Sequence, residues 1–370
     1  MLSDSDLKKA LSITDLTIFE SGPNPINLIL KEIVDSLAKQ GEWPKPEVRR
    51  GNPVVTVEEN FDLLLIPKTD ICRLPVYTRY VDDSHVLRTQ ASSMIPSLLQ
   101  ERPVPDDRIL VCPGIVYRRD VIDKLHSGTH HQMDVWRVKK GKPDMNRGDL
   151  IKLIDVIIGS VFPGAKYRVN EKTHPYTSHG VEIEVFYKDK WVETLEGGEI
   201  SPEFFEQIGI DPNEYTGLAT GFGLDRLAMM VKDMDDIRLF RATDQRIVKQ
   251  MKNLEPYKAV SKMPSMIRDI SVVVDASLCE EDICEKIRSI DQKMVDVIEE
   301  IQIKNETMVS DLPQVARERL GASDGQKNLL IRIILCALDR TLCREEADKI
   351  RNAAYLAVHE SDVKVLIDDK

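Results

Sequence analysis

An arginine pair followed by a histidine-bearing stretch is the first feature of this sequence with a chemistry attached. Tyr117-Arg118-Arg119-Asp120 precedes Lys124, His126, His130 and His131. A guanidinium fixed on a strand makes bidentate hydrogen bonds to phosphate, while an adjoining basic loop adapts to a bound nucleotide. A charged, exposed hairpin accounts for the same residues about as well. Gly221-Phe222-Gly223-Leu224-Asp225-Arg226-Leu227 is the second feature. Its glycines permit close backbone approach, and an arginine opening the next helix suits a nucleotide's outer phosphate. Helix packing explains that pattern equally well. Glu182 and Glu184 share one face of a strand, and with Glu193 they could hold magnesium on a nucleotide, although an exposed sheet face is the commoner cause. Five of the seven histidines (His126, His130, His131, His174, His179) fall in one central region, and imidazole concentrated in this way points to a functional site.

The elements that must position these residues follow from periodicity. Residues 25–39 carry Ile26, Leu28, Ile29, Ile33, Val34 and Leu37 on a helical stripe after an Asn-Pro start. From Val54 to Arg88, Pro67, Pro75 and paired aspartates break the apolar runs into loops and short strands, and Met94 to Leu99 reads as a helical turn. Ile109 to Val138 alternates apolar and polar residues, as two antiparallel strands would around a polar loop. A helix is predicted from Arg147 to Val161. Two period-two strands follow, turning at Lys188-Asp189-Lys190, and then a glycine-punctuated strand or loop feeds a helix at Gly221 to Met230. Periodicity lapses between Asn253 and Lys262, which places a boundary there. Beyond it the pattern predicts a strand (270–274), a helix (280–289), one or two strands (297–303), a charged insertion (311–326), a strand (329–335) and a closing helix (344–358). That is the order of a small split α/β unit.

Composition narrows the class. The 370 residues carry 51 basic and 62 acidic side chains, a net charge of −11, which argues against a protein living on non-specific phosphate attraction. With 42% apolar residues the chain can bury a sizeable core. The six cysteines form no CxxC pair and no zinc spacing, as expected in a reduced compartment. Residues 1–14 mix Asp4, Asp6, Lys8 and Lys9 ahead of any apolar run, unlike a signal or transit peptide, and no apolar stretch is long enough to span a membrane. The expected location is cytoplasmic.

Taken in order, the strand-arginine-loop, the strand acids and Gly-Phe-Gly-Leu-Asp-Arg match motif 2, the intervening strands and motif 3 of class II aminoacyl-tRNA synthetases. Over roughly residues 60–245 the chain resembles the catalytic-subunit type of phenylalanyl-tRNA synthetase. Asn60-Phe61-Asp62-Leu63-Leu64 with Ile66-Pro67 is similar to that family's NFDxL..P segment, and Leu87-Arg88-Thr89-Gln90-Ala91-Ser92 to its LLRTxTS segment. GIVYRRDVIDKLHSGTHHQMDV resembles GxVYRxDxxDxTHxxxFHQxEG. Pro264 to Ile270 and Asp339-Arg340-Thr341-Leu342 with Glu345-Glu346 resemble the ferredoxin-fold anticodon-binding domain that ends these enzymes. The resemblance implies an α+β fold: an antiparallel class II synthetase sheet flanked by helices, then a small ferredoxin-like α+β domain. It implies a catalytic domain with a helical extension at 1–255 and an anticodon-binding-like domain at 256–370, as in the single-chain organellar form. No room is left for a coiled-coil arm or an editing domain.

The resemblance also implies roles. Arg118 would bind the α-phosphate, Arg226 would hold the γ-phosphate side of a bent ATP, and His126 would assist on the pyrophosphate. His130 stands where the family stacks a phenylalanine on adenine. Glu182 and Glu193 would hold Mg2+, with Glu193 also on ATP. Gln90, Ser92, Gln132 and Asp134 would handle the amino acid's ammonium and carboxylate, with Asp134 one methylene shorter than the family's glutamate. Ala219 and Gly221 would line the amino-acid site, and Arg268 and Arg340 would touch tRNA. The largest departure lies at the family's FPFTEPS segment, here His174-Pro175-Tyr176-Thr177-Ser178-His179-Gly180, which turns two apolar pocket walls into His174 and Tyr176. The family's LGCG is Leu195-Glu196-Gly197-Gly198, followed by Glu199.

An unpartnered buried polar group costs about 1–3 kcal/mol, so these walls would favour a substrate with a polar side chain unless neighbours satisfy them. The leading expectation is ATP-dependent activation of phenylalanine and charging of tRNA. The alternatives are a paralogue that activates a more polar amino acid, with tRNA or another acceptor, and a catalytically silent regulatory protein. Arg118, Arg226, His126 and Glu193 speak against the last, because a silent fold has no physical need for them. From Tyr257 onward there are 17 basic and 22 acidic side chains, so tRNA contact would need a local patch, for which Lys258, Lys262, Arg268, Lys327, Arg332 and Arg340 are candidates. Motif 1 is weak between Ile26 and Pro67, which leaves monomer and homodimer open.

Overall fold

Period-two sequence becomes a broad sheet whose register sets the site. The computed structural model describes residues 1–260 and 264–364, and Lys262 lies outside them. Two compact units emerge, the first comprising Met1–Arg118, Thr129–Met234 and Gln250–Tyr257. Its strands are β1 (Pro46–Val48), β2 (Val54–Thr56), β3 (His85–Leu87), β4 (Asp107–Tyr117), β5 (Thr129–Lys140), β6 (Tyr167–Glu171), β7 (Thr177–Tyr187), β8 (Lys190–Ile200) and β9 (Tyr215–Gly223). β2 pairs with β3. The other seven form one sheet in the order β1-β4-β5-β9-β8-β7-β6, antiparallel except for the parallel β1–β4 pair. The predicted β7–β8 hairpin turns through Lys188 and Asp189, both at positive φ (46° and 59°), the geometry that matches the twist of the flanking strands.

The two predicted helices form at Pro25–Ala38 and Arg147–Val161. Asn24 and Asn146 close their N-termini by accepting backbone N–H groups of the first turn, while Asn27 and Asp149 reach back to the cap. Ile26, Ile29, Leu30, Ile33 and Leu37 are buried on the first helix, and Leu150, Leu153, Ile154, Ile157 and Ile158 on the second. This three-and-four spacing gives each helix one apolar stripe, and the two helices pack against each other. On β5, alternation places Met133 and Val135 on one face and Asp134 and Trp136 on the other, all four buried. Trp136 joins Leu110, Cys112, Ala219, Phe204 and Phe205 in an apolar cluster beneath the candidate site.

The second unit comprises Arg119–Gly128, Asp235–Lys249 and Lys258 onward. Strands β10 (Met266–Asp275), β11 (Ile298–Met308) and β12 (Gln326–Leu335) pair antiparallel in the order β10-β12-β11. Helices Glu280–Arg288 and Arg344–Val358 cover one face and bury Ile283, Ile287, Ile350, Ala354 and Tyr355 against Val272, Val274, Ile331 and Ile333. The element order β-α-β-β-α is the one the sequence predicts, and the fold is α+β with this smaller ferredoxin-like unit. The charged insertion contains a helix, Gln314–Leu320, whose only buried member is Leu320.

The units interleave along the chain. Residues 119–128 pack with the second unit because Ile122 enters its core, Ile301 N donates to the Ile122 carbonyl at 3.0 Å and Arg288 donates to the Val121 carbonyl at 2.9 Å. Arg119–Asp282 (3.1 Å) and Lys124–Glu299 (3.3 Å) add ion pairs. Val121-Ile122 shows no periodicity in sequence, so its burial depends wholly on the partner surface.

Candidate active site

One transverse row of the large sheet organises the site. Register places Cys112 of β4 opposite Asp134 of β5, Asp134 opposite Gly221 of β9, Gly221 opposite Glu196 of β8, and Glu196 opposite Glu182 of β7. Two carboxylates thus flank a glycine, which leaves a slot with backbone as its floor. A Cβ at Gly221 would stand 3.2 Å from Asp134 Oδ1, so any side chain there crowds the carboxylate.

On the β5 side, Asp134 Oδ2 accepts from Ser92 Oγ (2.7 Å) and Trp136 Nε1 (3.0 Å), and no cation is among these partners. Burial outweighs the two hydrogen bonds and pushes the carboxyl up to about 6. Gln132 Oε1 accepts from Ala91 N at 3.2 Å and Gln90 Nε2 donates to the Asn60 carbonyl at 2.9 Å. Asn60 also bonds Thr89 through its N–H and hydroxyl. The 89–94 segment is thereby pinned over β5, which brings Gln90, Ser92, Gln132, Asp134 and Gly221 together. Ala219 is buried one step along β9, opposite Trp136.

His174 and Tyr176 sit on the connection between β6 and β7. Tyr176 stacks on Trp136 with ring centres 5.4 Å apart and tilts against Phe204 at 6.3 Å. Its phenol is pushed up chiefly by burial. His174 Nε2 lies 2.9 Å from Glu196 Oε2 and Nδ1 lies 3.2 Å from Thr177 Oγ1. This corrects one sequence expectation. The polar handle of His174 is satisfied by neighbouring side chains, so that wall does not demand a polar substrate. Glu199 is likewise met by His179 Nδ1 at 3.0 Å.

The cationic elements lie at strand ends. Arg118 follows β4 and donates from Nε to the Thr89 carbonyl at 2.8 Å. Arg226 opens the helix Leu224–Val231, and its Nη1 reaches the Glu193 carbonyl at 3.2 Å and Glu193 Oε2 at 3.7 Å. The preceding Asp225 is buried and held low, against its burial, by charge and hydrogen bonding from His131. His131 Nδ1 approaches Asp225 at 3.2 Å while Nε2 accepts from Leu16 N at 3.1 Å. The pairing fixes the tautomer with the proton on Nδ1 and ties β5 to the root of the Arg226 helix. Sequence reasoning noted His131 only as one of a cluster; the acid next to Arg226 was the signal for its partner. His130 lies beside it on β5, opposite Val116.

Carboxylate oxygens of Glu182, Glu193 and Glu196 lie within 4.8 Å of one another. Glu182 and Glu193 are the predicted metal ligands; Glu196 is the addition, and its place directly across from Glu182 is a matter of register alone. Glu184, on the same face as Glu182, is bound to Arg168 Nε (2.5 Å) and Asn170. His126 sits in the 119–128 segment of the second unit and meets Asp123 Oδ2 at 2.7 Å. In that unit Arg268 pairs with Asp348 (2.7 Å), Arg340 with Glu346, Arg332 with Asp269 (2.9 Å) and Lys327 with Glu306 (3.2 Å). The three arginine pairs are partly exposed, where an ion pair contributes little, whereas Lys327 is buried.

One antiparallel sheet thus carries an arginine just past β4, a second arginine at the root of the helix after β9, and the row Asp134–Gly221–Glu196. The family model described as tRNA synthetases class II core domain (F) matches residues 10–251, and the chain belongs to that family. It is 30% identical over 341 residues to the phenylalanine--tRNA ligase, chloroplastic/mitochondrial, of Arabidopsis thaliana, covering 89% of this chain and 75% of the relative. It is 29% identical over 372 residues to the probable phenylalanine--tRNA ligase, mitochondrial, of Drosophila melanogaster, covering 85% and 78%. The phenylalanine--tRNA ligase alpha subunit of Nostoc punctiforme is 32% identical over 227 residues, 61% of this chain and 66% of that subunit. Among the described residues no helix is long and apolar enough to cross a membrane.

Proposed function

We propose that the chain activates phenylalanine with ATP and transfers it to tRNA. The observation that carries this reading is the row Asp134–Gly221–Glu196: a buried carboxylate lacking a protein cation among its hydrogen-bond partners faces a glycine-floored slot beside an aromatic wall. In this reading the substrate ammonium lies on Asp134 with Gln90, Ser92 and Gln132 around it. The phenyl ring packs on Tyr176 and His174 over Ala219. A carboxylate oxygen of the amino acid attacks the α-phosphorus of ATP, the bond to the bridging oxygen breaks and pyrophosphate leaves. Arg118 holds the α-phosphate, Arg226 the outer phosphates, and His130 stacks on adenine. These groups align and neutralise rather than shuttle protons, which suits a phosphorus centre attacked in line. The tRNA terminal hydroxyl then attacks the adenylate carbonyl and AMP departs, with Arg268 and Arg340 on the tRNA.

Carboxylate oxygens of Glu182, Glu193 and Glu196 converge to within 4.8 Å, where a magnesium ion would compete with Lys172 for Glu182. Glu182 and Glu193 would hold it, and when bound it spreads phosphate charge. Satisfaction of His174 by Glu196 and Thr177, and the stacking of Tyr176 on Trp136, favour phenylalanine over a polar substrate.

Pyrophosphate exchange with ATP and each amino acid in turn tests the reading. Exchange with phenylalanine is expected, and Arg118→Ala should reduce it at least 1000-fold, an order of effect seen for direct transition-state contacts, without unfolding the chain. Exchange with no amino acid would sink the enzyme reading, and exchange only with polar amino acids would sink the substrate assignment.

A further inference from the structure

Glu182 and Glu196 stand directly opposite one another on β7 and β8, where like charges repel. One side chain resolves the conflict. Lys172, just past β6, places Nζ 2.8 Å from Glu182 Oε2 and 3.0 Å from Glu196 Oε1. Glu196 Oε2 is given to His174 Nε2 at 2.9 Å. The two oxygens of Glu196 are therefore divided between Lys172 and His174, and the carboxylate cannot turn without losing both partners. His174 in turn stacks on Tyr176, with ring centres 6.2 Å apart, and Tyr176 stacks on Trp136. A chain of oriented groups runs from the Lys172 ammonium to the aromatic wall.

We propose that Lys172 is a positioning residue for the amino-acid pocket: its ammonium bridges Glu182 and Glu196 so that Glu196 holds the His174 ring in place. The inference rests on the reading above that His174 and Tyr176 wall the substrate side chain. Lys172 itself is exposed and meets Glu196 at the edge of the slot and Glu182 on the metal side, so the KM values for the amino acid and for ATP, read separately, isolate its positioning role. Without it, repulsion from Glu182 drives Glu196 away from His174, and the ring gains freedom that substrate binding must then remove. A guanidinium spans the same two carboxylates, so arginine should serve in its place.

The test compares wild type, Lys172→Met, Lys172→Arg, Glu196→Gln and the Lys172→Met/Glu196→Gln double variant by pyrophosphate exchange, with melting curves as the folding control. Lys172→Met should raise the KM for phenylalanine about tenfold while the KM for ATP stays within about twofold, a split that general loosening of the fold does not produce. Glu196→Gln should give a similar rise, the double variant no more than either single one, and Lys172→Arg close to the wild-type value. An unchanged phenylalanine KM, an equal rise in both KM values, or additive effects in the double variant would overturn the proposal. If Lys172→Met does not fold, Lys172→Arg and Glu196→Gln decide: loss of phenylalanine affinity in the former, or none in the latter, overturns it. Absence of phenylalanine exchange in the wild type would instead overturn the functional reading and this inference with it.

Discussion

Asp134 and Glu196 flank the same glycine in the same sheet row, yet their carboxyls are displaced in opposite directions. Asp134 is pushed up to about 6 because it is buried and receives only neutral donors, Ser92 and Trp136. Glu196 is held down at about 2, first by its hydrogen bond to His174 and then by Lys172, which outweigh a partial burial. One carboxylate already has a cation, Lys172. The other is ionised at neutral pH only at a cost, which a ligand ammonium would offset. The lesson is that register supplies carboxylates to a site, but the neighbours of each decide whether it serves structure or substrate.

The comparison can be broken most forcefully at the glycine between them. Gly221→Ala should fill the slot beside Asp134 Oδ1 and cut kcat/KM for phenylalanine on the order of 100-fold or more, since close-packed sites tolerate small misplacements poorly. The KM for ATP should hardly change. Pyrophosphate exchange at varied concentrations of each substrate checks both statements.

Asp134→Asn should come next. Losing the charge opposite a buried ammonium is expected to lower kcat/KM for phenylalanine by about 30- to 100-fold, on the scale of a broken desolvated ion pair. The same change should raise the melting temperature of the free protein at pH 7 to 8 by about 2–4 °C, because the folded state no longer carries a costly carboxylate. Glu196→Gln should shift it in the opposite direction by a smaller amount. Calorimetry of the two variants side by side would contradict the comparison if both moved the same way.

A gentler probe is pH. Asp134 has a folded pKa above its unfolded one, so its ionisation penalises the fold increasingly as pH rises from about 4 to about 6 and fully beyond. Glu196 has a folded pKa below its unfolded one, so its stabilising contribution is present above about pH 4.5 and is lost as pH falls toward 2. Over the working range only Asp134 changes charge. The KM for phenylalanine should therefore climb as pH falls through about 6, approaching tenfold per unit below it, and Asp134→Asn should flatten that limb. A limb that persists in the variant would assign the titration elsewhere.

Much of this architecture is legible in the residues. The alternation over 109–138, the period-two runs at 181–187 and 190–196, the helices from 25 and from 147, and the order of Arg118, the strand acids and Arg226 all rest on local patterns, which short-range sterics and hydrogen bonding enforce. Alternation likewise shows that Asp134 and Trp136 share a face. The pairing of Asp134 with Gly221, Gly221 with Glu196, and Glu196 with Glu182 is not local: β9 inserts between β5 and β8, and one residue of slip would turn each side chain to the other face. Lys172 as the partner of both acids, the stacking of Tyr176 on Trp136, and the burial of Ile122 are likewise long-range outcomes. Residue types and spacing thus announced which groups were available for chemistry; their charge states and partners waited on packing, because a pKa and a hydrogen bond belong to the surroundings of a residue and not to its place in the chain.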